Sequence, residues 1–90
     1  MALSPEARRS LKAQAHHLKP LIIVGQKGIT ETLIEATDQA LEAHELIKIK
    51  FNEYKEEKED LVREISEATS GEKVAIIGNI AILYRKKKKK

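Results

Sequence analysis

The chain has no cysteine and no tryptophan, two prolines, four glycines and only the aromatic rings of Phe51, Tyr54 and Tyr84. Without cysteine there can be neither a disulfide framework nor a thiolate zinc site. So few rings argue against a sheet or groove on which successive nucleobases stack, a mode that displays several aromatics on one face. Long apolar runs are also missing. Residues 21–24, 74–77 and 80–84 are the uninterrupted ones of four or more, far short of the roughly 20 residues that span a bilayer. Residues 1–5 carry no apolar stretch of the signal-peptide kind, so a soluble, cytoplasmic protein without a membrane partner is expected. His16 and His17 are adjacent and would diverge by about 100° on a helix, so they cannot chelate one metal together. His44 stands alone near the expected end of a helix, where a capping role explains it. With no nucleophile–base pair visible either, the reading is of a protein that is not an enzyme and needs no metal or cofactor.

Charge, by contrast, is abundant and segregated. Residues 1–30 carry Arg8, Arg9, Lys12, Lys19 and Lys27 against Glu6, a net +4. Residues 31–72 sum to −8, and residues 73–90 to +7. If the fold keeps these blocks apart, the molecule has a basic pole suited to a polyanion. A chain of 90 residues also has a modest core, burying about 60–65% of its unfolded surface.

Ser4-Pro5-Glu6 is a helix start: a capping serine, proline at the first helical position and an acid in the first turn. Leu3, Ala7, Leu11, Ala15 and Leu18 then form one apolar stripe, with Arg8, Lys12, His16 and Lys19 beside it. Pro20 ends the helix or the turn after it. Residues 21–24 read as a strand buried on both faces. Thr30 caps a second helix over 31–44, apolar at Leu33, Ile34, Thr37, Ala40 and Leu41 and acidic on its outer face. Residues 46–51 alternate, with Ile47, Ile49 and Phe51 to one side and Lys48 and Lys50 to the other. A third helix is expected over 55–70 with Gly71 as its left-handed terminator. A hairpin follows, over 74–77 and 80–85, turning at Gly78-Asn79. The order αβαβαββ implies helices packed on a mixed sheet, with right-handed crossovers through the second and third helices.

Two of the scarce glycines fall in Gly25-Gln26-Lys27-Gly28, between a buried strand and a helix start. Glycines let a phosphate approach the backbone, and helix-start amides together with the helix dipole favour an anion there. Lys27 adds a mobile cation, so the loop resembles the GxxG clamp of KH domains. The spacing excludes a Walker loop and the three-glycine dinucleotide fingerprint. The plain alternative is a tight strand-to-helix turn. A cationic helix stripe is usually a solvated face, yet no acid occurs between Ala7 and Ile29, whereas a merely soluble face mixes its signs as residues 59–64 do. The terminal lysines 86–90, extended by Arg85, are expected to be disordered, adding either sequence-blind phosphate affinity or solubility.

Leu18-Lys19-Pro20, Gly25-Gln26-Lys27-Gly28-Ile29-Thr30, Ala40-Leu41-Glu42, the run from His44 to Lys50, Ile76-Ile77-Gly78 and Leu83-Tyr84-Arg85 together resemble the CRM domain, named for chloroplast RNA splicing and ribosome maturation. The resemblance covers about residues 3–85, and a stand-alone domain of this length is similar to the bacterial YhbY-like proteins. It implies one domain over 1–85, while the basic tail over 86–90 is not part of the family pattern. The implied fold is a two-layer αβαβαββ sandwich with a four-stranded mixed sheet, like the C-terminal domain of bacterial translation initiation factor three. It also implies a role with precursors of the large ribosomal subunit and RNA contact at the GxxG loop; the scarcity of aromatics makes that contact one of backbone and shape rather than base sequence.

The expected RNA-binding residues are therefore Gly25, Gln26, Lys27 and Gly28, flanked by Arg8, Arg9, Lys12, His16 and Lys19. Lys48 and Lys50 join them if their strand face is open. The partner would be precursor ribosomal RNA within a pre-ribosomal particle, bound by a monomer. The other reading is a protein-interaction module whose basic pole docks an acidic ribosomal or assembly-factor partner.

Overall fold

The computed structural model describes residues 3–86, so the expected tail beyond Lys86 lies outside the described residues. The elements are α1 (Pro5–Ala15), β1 (Ile22–Val24), α2 (Glu31–His44), β2 (Leu46–Phe51), α3 (Lys58–Thr69), β3 (Glu72–Ile77) and β4 (Ile80–Tyr84). Both capping residues act as their chemistry dictates. The Ser4 hydroxyl accepts from the Ala7 amide at 3.1 Å, and Thr30 Oγ1 accepts from the Leu33 amide at 3.0 Å.

The strands form one mixed sheet in the order β1-β2-β4-β3. β1 runs parallel to β2, and β4 pairs antiparallel with both β2 and β3. The crossovers through α2 and α3 therefore join strands of the same direction, with β4 inserted between β2 and β3. Period-two alternation divides β2 as expected. Ile47, Ile49 and Phe51 are buried in the main core with Val24, Leu41, Val62, Ile65 and Leu83, under α2 and α3. Leu46 belongs to a second, smaller cluster with Ala15, Val74 and Ile82, which α1 covers from the other side of the sheet. The mixed α/β fold with three helices and a four-stranded sheet is thus present, with the helices divided between its two faces. This adds a layer to the two expected.

Helix ends depart from expectation where tertiary geometry intervenes. α1 stops at Ala15, and Leu18 N–H bonds back to Ala15 O at 2.9 Å in a tight turn. Proline at position 20 lacks the N–H to extend the helix and disfavours helical backbone at Lys19. α3 begins at Lys58 rather than near 55, because Tyr54 takes a left-handed φ of 57° and no side chain caps the first turn. Ser70, not Gly71, is the left-handed residue after α3, with φ 60°. Gly71 is instead a close-packing position, where an added Cβ would lie 3.2 Å from Leu41 Cδ1.

The buried polar residues Thr37 and Thr69 each donate the hydroxyl to a carbonyl one turn earlier, Leu33 O and Ile65 O, both at 2.8 Å. Arg85 proves to be a clamp. Its guanidinium donates to Asp38 Oδ1 at 2.5 Å, Thr69 O at 2.7 Å, Asp38 O at 3.0 Å and Glu42 Oε2 at 3.1 Å. One side chain thus ties the end of β4 to α2 and to the last turn of α3, where orphan carbonyls favour a cation.

Candidate nucleic-acid interface

The strand ends bring three connections to one end of the sheet: the glycine bend after β1, residues 52–57 after β2, and the Gly78-Asn79 turn between β3 and β4. Within the bend, Gly28 N–H donates to Gly25 O at 3.0 Å, closing a turn that presents Gln26 and Lys27 to solvent. Gly28 needs its glycine, because its φ is +66°. Gly25 needs it for no packing reason, since a Cβ there would meet nothing within 4 Å. The bend is therefore open to an incoming group. It leads through Ile29 and Thr30 into α2, whose opening amides at Glu31 and Thr32 precede the intrahelical ladder.

Tyr54 braces this bend. Its hydroxyl donates to Gln26 O at 2.6 Å, and its ring lies against Gly28, with Cε2 at 3.4 Å from the position of an added Cβ. Sequence reasoning placed Tyr54 in a loop and gave it no role. The available signal was an aromatic within a run of otherwise polar loop residues.

The first helix crosses the opposite sheet face from β3 toward β1. Arg8 Nη1 donates to the carbonyls of Lys73 and Val74 on β3, and beyond the helix Leu18 O accepts from Lys48 Nζ at 2.9 Å. Gln14, on the opposite flank from Arg8, shares a surface groove with His44 and Leu46 at the start of β2. By helical geometry the flank holding Arg8 and Lys12 then faces the end of the sheet where the glycine bend lies.

These contacts sort the expected residues. Lys12, Arg9 and His16 are exposed, as is Lys50 on the same sheet face. Lys19 is exposed but lies in the α1–β1 connection, not on the helix, because α1 ends at Ala15. Lys48 and Arg8 are half-buried and already engaged with carbonyls. Arg8 is anchored at β3, the sheet edge opposite β1, so it stands away from the bend. Arg85, expected to extend the basic tail, is held in its clamp.

Some acidic residues adjoin the bend: Glu53, Glu56 and Glu57 are exposed in the connection after β2 and share a surface groove with Gln26. Others lie elsewhere. Glu35, Asp38, Glu42, Glu59, Asp60, Glu64 and Glu67 are exposed on α2 and α3, across the sheet from α1. The sheet thus separates the acidic faces of α2 and α3 from the cations of α1, while the carboxylates after β2 stay next to the bend. Among the described residues, no three or more His, Asp or Glu side chains gather where they could hold a metal ion, and no helix is long and apolar enough to cross a membrane.

A mixed α/β sandwich with an open glycine bend beside a cationic face defines the class of domain. The CRS1 / YhbY (CRM) domain matches residues 3–85, and the chain belongs to that family. It is 37% identical over 90 residues to a Pseudomonas aeruginosa protein named "Probable RNA-binding protein", covering 99% of this chain and 86% of the relative. It is 38% identical over 84 residues to a Haemophilus influenzae protein named "RNA-binding protein", covering 92% and 85% of the two chains. The solution structure of a hypothetical protein from Staphylococcus aureus superposes with a TM-score of 0.83 at 36% identity, covering 98% of this chain and 93% of the other.

Proposed function

We propose that this protein binds RNA through its backbone and shape, associates with precursors of the large ribosomal subunit and acts in their assembly. The observation that carries the reading is the open Gly25-Gln26-Lys27-Gly28 bend, which leads into a helix start at the end of the sheet where Lys50 is exposed, with the Lys12 flank of α1 turned toward that end. In this reading Lys27 and the amides of residues 29–31 meet phosphates. The exposed cations of α1 and its following turn extend the contact, and the acidic faces of α2 and α3 turn away and orient the domain as it lands. The names of the relatives support the RNA partner. The ribosomal target follows from the resemblance to YhbY-like proteins. The protein acts as a cytoplasmic monomer and uses no catalytic group.

Gradient sedimentation of a cell lysate tests the assignment. The protein should migrate with large-subunit precursors and return to the top of the gradient after nuclease treatment. Continued co-migration with residual protein particles after nuclease would establish the protein-docking alternative instead.

A further inference from the structure

α1 covers only part of its sheet face. Register places Ile23, Lys50, Ile80 and Ile77 in one row across all four strands, Ile23 opposite Lys50, Lys50 opposite Ile80, and Ile80 opposite Ile77. With strands about 4.8 Å apart, the row is roughly 14 Å long. Ile23 is 55% exposed, Ile77 50%, and Leu21, two residues before Ile23 on the same face, 51%. The row begins two residues before Gly25 and ends next to Gly78, so it forms a floor directly behind the glycine bend. The Lys12 flank of α1 borders it, and no carboxylate belongs to it.

An exposed apolar strip of this kind marks a binding surface, and its charge selects the occupant. A second copy meeting it about a twofold axis would bring like amines together near Lys50, at the centre of the row, at a desolvation cost. A duplex RNA would offer the isoleucines little but sugar and phosphate, since its bases are stacked inside. An unpaired base has apolar faces for isoleucine and acceptor atoms on its edges for a lysine. We infer that this bare half of the sheet receives unpaired bases of the same RNA strand whose backbone the glycine bend holds. The inference rests on the RNA-binding reading and makes its preferred substrate single-stranded. No aromatic side chain lies in the row, so the contact is apolar packing with little choice among bases.

Fluorescence anisotropy with three probes tests it: a short single-stranded RNA of mixed sequence, the same strand with abasic riboses at its centre, and a blunt duplex of equal length. In the variant Ile23→Thr/Ile77→Thr both sites keep β-branched residues, so the sheet is retained, which circular dichroism checks. The variant should lose about tenfold in affinity for the intact strand, with no change on the duplex, no further loss on the abasic strand and an unaltered salt slope. Unchanged binding of the intact strand, or an equal loss on the duplex, would overturn the inference. So would a wild-type dimer in sedimentation that the variant dissociates without any effect on RNA affinity. If Gln26→Asp/Lys27→Asp abolishes binding while the isoleucine variant is silent, the RNA reading stands and this inference falls. If the wild-type protein binds none of the probes, both fall.

Discussion

Replacing Gln26 and Lys27 together with aspartate lowers RNA affinity by about a hundredfold or more and leaves the thermal melt nearly unchanged. The affinity loss follows from charge. The bend loses one cation and gains two anions at its most exposed point, where the proposed phosphate would sit within a few ångströms of each. Stability is preserved for local reasons. Both side chains point to solvent, and the bond that holds the bend from outside, Tyr54 Oη to Gln26 O, uses the main chain. Gly28 keeps its left-handed φ of +66°, and aspartate is well tolerated in turns. Surface substitutions of this kind stay within about 0.5 kcal/mol. Circular dichroism melts beside anisotropy titrations separate the two effects. Retained affinity would remove the bend from the interface.

Arg85→Ala has the opposite signature, costing about 2 kcal/mol of stability and leaving RNA affinity unchanged below the melting transition. The side chain is 18% exposed and bonds to two carboxylates and two carbonyls. Asp38 and Glu42 are themselves 56% and 70% exposed, so their ion pairs are partly screened. Most of the loss comes from the carbonyls of Thr69 and Asp38, which lose a charged donor at the junction of α2, α3 and β4. For a domain of this size the melting temperature should fall by about 10 °C. Arg85→Lys should recover only part of it, because a single ammonium cannot span the forked set of acceptors. A large loss of RNA affinity at 25 °C in the folded alanine variant would instead put Arg85 in the interface.

Local features of the sequence predicted what depends on local chemistry. Ser4 and Thr30 cap the helices they precede, and the alternation of 46–51 buries Phe51. The paired glycines mark a bend that is open at Gly25, where even an added Cβ would meet nothing within 4 Å. Features set by distant parts of the chain were not legible. The partners of Arg85 lie 47, 43 and 16 positions away, so nothing near it in sequence distinguished a clamp from the start of a basic tail. Tyr54 meets Gln26 across 28 positions. Arg8 joined the cationic stripe by spacing, but reaches the β3 carbonyls only because α1 lies across that strand. The division of the helices between two sheet faces likewise follows from how the crossovers pack, which periodicity does not encode.

On the proposed reading, the glycine bend and the cationic side of the sheet form one surface for RNA. Backbone amide shifts of the isotope-labelled protein, followed during titration with RNA, test this most directly. The largest changes should run through residues 25–32, Lys12, Lys19 and Lys50, while the outer faces of α2 and α3 stay silent. Changes centred on α2 and α3, with the bend unmoved, would contradict it.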